Sequence, residues 1–237
     1  MSGTLIGVGT GPGDPDLITV KGRDALLSAD TVFVPVAVSS PNDEPGYAER
    51  VVAHHVPHDK PITRLVFELD ADRRDSAWAR AAETVAEVVR AGKTAVFATI
   101  GDPNVYSTFS YLARAVRARV PSATIATVPG VTAMQDLASR TGTVLVEHDE
   151  PLTLMPMTAG TDRVRGALED GGTVVLYKGG RRLPEVRAVL EAGGALDRAV
   201  FGAHLGHPDE DVRAAVPDRP APYLSTVIVT PEREEPQ

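Results

Sequence analysis

Gly7–Asp16, GVGTGPGDPD, follows a short apolar run, Thr4–Val8, and carries glycine at every second position from Gly7 to Gly13. Glycine permits positive φ and lets a backbone approach a neighbour or a ligand closely. A glycine-rich turn after a strand invites comparison with the dinucleotide fingerprint G-x-G-x-x-G. No register satisfies it: the third glycine position is Pro12 counted from Gly7, Asp14 from Gly9 and Asp16 from Gly11. Pro12 and Pro15 also interrupt the stretch where the fingerprint's helix would begin, and Pro15 biases Asp14 away from the α region. The next strand, Thr31–Val36, runs out in Val34-Pro35-Val36-Ala37 without the acid that holds a ribose. No Gly-Lys-Ser/Thr closes the loop, which excludes a P-loop. Taken alone, the stretch also fits a ligand-free turn joining strand to helix.

Outward from it, short β-rich runs alternate with amphipathic ones. Helices are expected at Leu17–Ser28, Tyr47–His55, Ser76–Ala91 and Ser107–Arg119, and strands at Thr31–Val36, Arg64–Phe67, Thr94–Thr99 and Thr124–Val128. In the third helix Ala81, Val85, Val88 and Val89 form one stripe. The alternation predicts an α/β unit with a mostly parallel sheet covered on both faces. Past Pro129-Gly130 the pattern shifts. Helices are expected at Thr132–Thr141, Thr161–Glu169 and Leu183–Glu191, and strands at Leu152–Met157, Thr173–Lys178, Ala199–Ala203, Val212–Val216 and Leu224–Val229. The last two strands lack an intervening helix and read as an antiparallel hairpin, making the second sheet mixed. Two domains follow, 1–128 and 129–237. SSPNDEP at Ser39–Pro45 reads as a loop and PEREEPQ as a frayed tail.

The 237 residues are 43% hydrophobic and 24% charged, an ordinary globular composition. Cysteine is absent, which removes disulfides, thiolate metal sites and a cysteine nucleophile. The net charge of −8 and an aromatic fraction of 5% argue against broad nucleic-acid binding. No run reaches membrane-spanning length and the N-terminus lacks a basic n-region, so a cytoplasmic protein is expected.

Two further strand ends share the character of the opening. Thr94–Thr99 leads into Ile100-Gly101-Asp102-Pro103-Asn104-Val105-Tyr106-Ser107, and Thr124–Val128 into Pro129-Gly130-Val131-Thr132-Ala133. Ligands of open parallel sheets sit at the carboxyl ends of strands. Three glycine-bearing loops at one edge predict a pocket lined by backbone N–H and C=O groups.

GVGTGPGDPDLIT, GDPNVYSTFSYL and VPGVTA at these spacings resemble the tetrapyrrole (corrin/porphyrin) methyltransferase family, and the likeness covers nearly the whole chain. ADTVFVPV, LVFEL at Leu65–Leu69, IGDPNVYSTFSYL at Ile100–Leu112 and YLSTVIV near the end are similar to the branch that methylates precorrin-2 at its C20 meso-carbon. The resemblance implies a two-domain α/β fold with S-adenosylmethionine folded in the interdomain cleft, and a homodimer. It implies a cofactor site lined by Gly11, Pro12, Gly101, Asp102, Val105, Tyr106, Thr132 and Ala133, completed by Met155, Pro156, Met157, Tyr177, Ala203, His204 and Leu205. Open alternatives are the cobalt-loaded substrate, another ring-methylating activity, and a cofactor-binding module without chemistry.

An octacarboxylate substrate needs a local basic patch on so acidic a protein. Lys178, Arg181 and Arg182 in LYKGGRRL, with Arg50 and Arg64, are the candidates, the guanidinium fork suiting carboxylates. Arg181 and Arg182 read equally as a solvated helix start, although cations are disfavoured there. A carboxylate against the sulfonium would stabilise the ground state more than the transition state. Asp102 is therefore expected to act on its own loop or on the cofactor's polar groups. Tyr106 and Lys178 are the side chains expected nearest the reacting carbon, with no histidine required as base. His54, His55 and His58 read as solvated surface and His204-x-x-His207 as a turn, so no metal is expected.

Overall fold

The computed structural model describes residues 3–37, 44–67 and 71–233. The Ser39–Pro45 loop and the PEREEPQ tail fall largely outside them, as does the end of LVFEL. The chain divides into two compact units, Met1–Thr132 and Ala133–Gln237.

In the first unit, β1 (Thr4–Gly9), β2 (Thr31–Ala37), β3 (Ile62–Phe67), β4 (Thr94–Thr99) and β5 (Thr124–Val128) form a sheet in the order β3-β2-β4-β1-β5. Every pairing in it is parallel. Four helices cover it: α1 (Val20–Ser28), α2 (Tyr47–His55), α3 (Ala71–Arg90) and α4 (Phe109–Arg119). Side chains alternate along each strand, so the two faces build separate cores. Leu5, Phe33, Ala95 and Phe97 pack with Val85, Val89, Leu112 and Val116 of α3 and α4. Val8, Val32, Val34, Val96 and Ala98 pack on the other face with Leu26 and Val52 of α1 and α2.

The expected helix from Leu17 begins only at Val20. Pro15–Leu17 instead makes a short 3₁₀ turn, and the Thr19 hydroxyl caps α1 by accepting from the Gly22 N–H at 3.0 Å. Helix α4 begins two residues late, because Ser107 Oγ accepts the Phe109 N–H and donates to Thr99 Oγ1, both serving the turn rather than a helical bond.

In the second unit, α5 (Ala133–Thr141), β6 (Leu152–Pro156), α6 (Thr161–Glu169), β7 (Thr173–Tyr177), α7 (Leu183–Ala192), β8 (Ala199–Ala203), β9 (Asp211–Arg213) and β10 (Ser225–Val229) give a mixed sheet ordered β6-β7-β10-β8-β9. The expected hairpin between the last two strands does not form. β10 inserts antiparallel between β7 and β8, and β9 pairs with β8 at the edge. The reason is burial: all five β10 residues are buried, a central-strand pattern, whereas β9 is half-exposed and short. Helices α6 and α7 pack on one face through Val164, Leu183, Val186 and Leu190. Helix α5 lies against β8, where a Cβ on Gly202 would meet Leu137 Cδ1 at 2.8 Å. Among the described residues no helix is long and apolar enough to cross a membrane.

Candidate functional site

The carboxyl ends of β4, β1 and β5 are neighbours, and the loops that leave them meet backbone to backbone. Gly101 N–H donates to Gly11 O at 2.7 Å, an isolated bridge between two loops. Thr10, wholly buried, donates both its N–H and its hydroxyl to Thr99 O, at 2.9 and 3.1 Å. A Cβ on Gly9 would lie 2.5 Å from Gly101 O and 2.6 Å from Gly130 N, and one on Gly130 would lie 2.2 Å from Gly101 O. Only glycine allows three chains to come this close.

Asp102 closes the cluster. One carboxylate oxygen accepts the Asn104 N–H at 2.8 Å and the other the Gly130 N–H at 3.0 Å. The side chain therefore ties its own loop to the loop after β5. Gly101 itself is left-handed, at φ +68°, and open space lies where its Cβ would point. The platform is thus sealed behind Gly9 and Gly130 and open in front of Gly101. Of the remaining first-unit candidates, Gly11 and Pro12 are buried in their loop, Val105 N–H donates to Asp102 O, Thr132 is buried and Tyr106 is 42% exposed. Burial of the Tyr106 phenol pushes its pKa up.

The second unit brings its candidates to one sheet end by register. Pro156 pairs with Tyr177, Tyr177 with Thr226, and Ala203 with Ser225. Lys178 N–H donates to Ser225 O, Gly179 N–H to Tyr223 O and His204 N–H to Leu224 O, so the residues after β7 and β8 are both fastened to the start of β10. Met157, Ala203 and Leu205 are buried, and Met157 and Ala203 belong to the apolar core. Tyr177 is also buried, and its hydroxyl accepts the Met134 N–H at 2.7 Å in the first turn of α5. Met155 packs partly buried against the same core, and Ala133 opens α5.

Among the described residues four non-glycine positions have positive φ, and three of them are candidates: Tyr106 at 47°, Lys178 at 57° and His204 at 54°. Such strain, about 1–2 kcal/mol for a non-glycine residue, concentrates at functional sites. The Lys178 ammonium lies 6.0 Å from the Tyr223 ring centroid, and burial lowers its pKa. Burial, then the charge of His207, lowers the His204 pKa, with Asp209 opposing. A cavity of about 310 Å³ opens beside Ala203 and His204, lined also by Asp209, Asp211 and Pro222. A larger, open one of about 500 Å³ at Arg187, Glu191 and Leu196 touches none of the candidates.

The basic candidates fall in both units. Arg64 lies within edge strand β3 and donates to both oxygens of Glu49, at 2.9 and 3.0 Å, while Arg50 donates to Pro45 O. Arg181 and Arg182 are exposed beside Lys178. Glu185, in the first turn of α7, accepts from Arg182, which relieves the unfavourable placing of a cation at a helix start. Sequence reasoning passed over Asp136, Arg140 and Glu210, which form an ionic chain beneath the His204 turn. Only the i,i+4 spacing of Asp136 and Arg140 could have hinted at it.

A family model described as tetrapyrrole (corrin/porphyrin) methylases matches residues 4–217, which take in all three glycine loops. The chain belongs to this family. Among its relatives, the precorrin-2 C(20)-methyltransferase of a Sinorhizobium species is 33% identical, over 99% of this chain and 98% of the relative. The cobalt-precorrin-2 C(20)-methyltransferase of Salmonella typhimurium is 29% identical over 99% of both. The solved structure of the methyltransferase CobJ superposes with a TM-score of 0.70, covering 99% of this chain and 98% of that one at 22% identity, a likeness of fold. The expected two-domain methylase architecture, parallel first sheet and mixed second sheet, is the one observed.

Proposed function

We propose that this methylase transfers the methyl group of S-adenosylmethionine to the C20 meso-carbon of precorrin-2, giving precorrin-3A in corrin (cobalamin) synthesis. The end-to-end identity of 33% with a protein named for that reaction carries the reading. The residues present suit the cofactor: no atom lies within 4 Å of where a Cβ on left-handed Gly101 would stand, so the bare backbone there is open to a ligand. S-adenosylmethionine supplies a methyl group on a sulfonium, open to in-line displacement.

In this reading the first unit offers Gly11, Pro12, Gly101, Val105, Tyr106 and Thr132 to the cofactor. The second offers Ala133, Met155, Pro156, Tyr177 and His204, with Met157, Ala203 and Leu205 contributing backbone. Asp102 spends both oxygens on loop N–H groups, which suits a strut and keeps its charge from the sulfonium. A reduced tetrapyrrole carbon is electron-rich, so alignment and exclusion of water are the main tasks. Lys178, Arg181 and Arg182 receive substrate carboxylates, with Arg50 and Arg64 as further contacts. Tyr106 and Lys178 stand nearest the reacting carbon, and the C20 proton leaves to water or a ring nitrogen. The protein works as a cytoplasmic homodimer, which sedimentation of the purified protein tests.

The deciding experiment mixes the purified protein with S-adenosylmethionine and precorrin-2 under anaerobic conditions and follows product mass and absorbance. One added methyl at C20 is expected; cofactor binding without transfer would overturn the enzymatic reading. The named activity of the Salmonella typhimurium relative favours a second substrate, cobalt-precorrin-2, so a cobalt-loaded arm runs in parallel.

A further inference from the structure

We infer that Asp136, Arg140 and Glu210 form a latch that holds the His204–Gly206 turn in its left-handed form, making Arg140 and Glu210 positioning residues for cofactor binding. The inference rests on the reading of His204 and Leu205 as cofactor residues. Arg140 Nε donates to Asp136 Oδ1 at 2.8 Å one helical turn away, and its Nη1 donates to Glu210 Oε1 at 2.8 Å. The second oxygen of Glu210 accepts the Gly206 N–H at 2.7 Å. Helix α5 is thereby joined to a turn 70 positions distant in sequence. The turn is closed on itself by His207 N–H donating to His204 O and Glu210 N–H to His207 O, both at 2.9 Å.

Stability alone does not account for this chain. Asp136 is only 6% exposed, and its Oδ2 is buried with no hydrogen-bond partner. An ion pair with a buried member can often be replaced by apolar side chains without loss, and an orphaned acceptor adds a penalty. What the chain secures is geometry. His204 at φ +54° and Gly206 at φ +72° put two left-handed residues into a three-residue turn, one of them a side-chain-bearing residue that favours other regions. The Gly206 N–H is the point at which the latch grips that turn.

Two variants test it. Glu210→Gln leaves one acceptor oxygen for two donors: facing Gly206 it turns its NH2 toward Arg140, and facing Arg140 it turns its NH2 toward the Gly206 N–H. Asp136→Ala with Arg140→Met removes the Asp136–Arg140 pair and leaves the half-buried Glu210 carboxylate on Gly206 with nothing tying it to α5. Both are expected to weaken S-adenosylhomocysteine binding about tenfold by calorimetry. The KM for S-adenosylmethionine should rise in parallel while the tetrapyrrole KM stays within about twofold, and the His204 ring titration followed by NMR should shift. Wild-type affinity in both variants overturns the latch, as does an equal loss for both substrates accompanied by a large fall in melting temperature. Should the wild-type protein itself fail to bind, the cofactor reading falls, and the His204 titration alone decides the latch.

Discussion

Gly9, Gly101 and Gly130 meet backbone to backbone in the first unit, whereas in the second Lys178 and His204 stand in left-handed geometry as side-chain-bearing residues. At that junction the side chains that fasten the loops are the Asp102 carboxylate and the Thr10 and Ser107 hydroxyls. The second arrangement depends on side chains: a tyrosine hydroxyl at the start of α5, an ionic chain under one turn, and β10 inserted between two strand ends. A backbone-built surface tolerates no added atom. A side-chain-built one is adjustable, and its strain is held by several weaker fastenings. Substitutions should therefore act differently in the two places.

The largest effect is expected from Gly9→Ala. Its Cβ would press on Gly101 O and Gly130 N, both backbone atoms that cannot swing aside. Destabilisation of about 3 kcal/mol and loss of cofactor binding should follow, measured by urea unfolding and calorimetry. Wild-type stability would break the picture of a sealed platform. Gly101→Ala separates fold from site. No atom lies within 4 Å of the new Cβ, so only the backbone strain at φ +68°, about 1–2 kcal/mol, should appear in stability. S-adenosylmethionine binding should nonetheless be lost; retained affinity would mean the open space is not the ligand's.

Asp102→Asn comes next. An amide cannot accept two N–H groups from both its ends, so one tie, to Asn104 or Gly130, is replaced by opposed donors. A cost of about 1.5–3 kcal/mol and weaker cofactor binding are expected, with unfolding curves and calorimetry as the check. On the second unit, Arg181→Ala with Arg182→Ala should raise the tetrapyrrole KM a few-fold and leave cofactor affinity unchanged. Both residues are exposed and Arg182 already faces Glu185, so each contributes about 1 kcal/mol at most. A wild-type KM would return them to solvated surface.

The smallest effect concerns neither site. Arg233 holds the Glu150 carboxyl down to about 2 from an ordinary 4.5, and also donates to Val144 O. A lowered folded-state pKa gives stabilisation that is complete above the unfolded value. It is lost progressively as the pH falls from about 4.5 toward 2. Loosening of the segment around Arg233 in that window, read by amide hydrogen exchange, should precede any change at the glycine loops. Simultaneous loosening of both would contradict a local role for the Arg233–Glu150 pair.

Much of this molecule is written locally. The short apolar runs of β1, β2 and β4, the amphipathic stripe of α3 and the turn chemistry after β1, β4 and β5 are properties of short stretches, and they sufficed for an α/β chain in two parts with its glycine loops at one sheet edge. The loop motifs also carried the family. The start of α1 was missed because Pro15–Leu17 closes a 3₁₀ turn of its own and Thr19 supplies the capping oxygen, which only the finished hydrogen bonds decide. The place of β10 was missed because strand order depends on which apolar run gains most from burial on both faces, a property of the whole sheet. The Asp136–Arg140–Glu210 chain was invisible because residues 70 positions apart become partners only when α5 lies on the second sheet. Short-range pattern determined what the elements are and where backbone must be bare. Long-range packing alone decided which side chains meet, because those contacts form between segments that share no local signal.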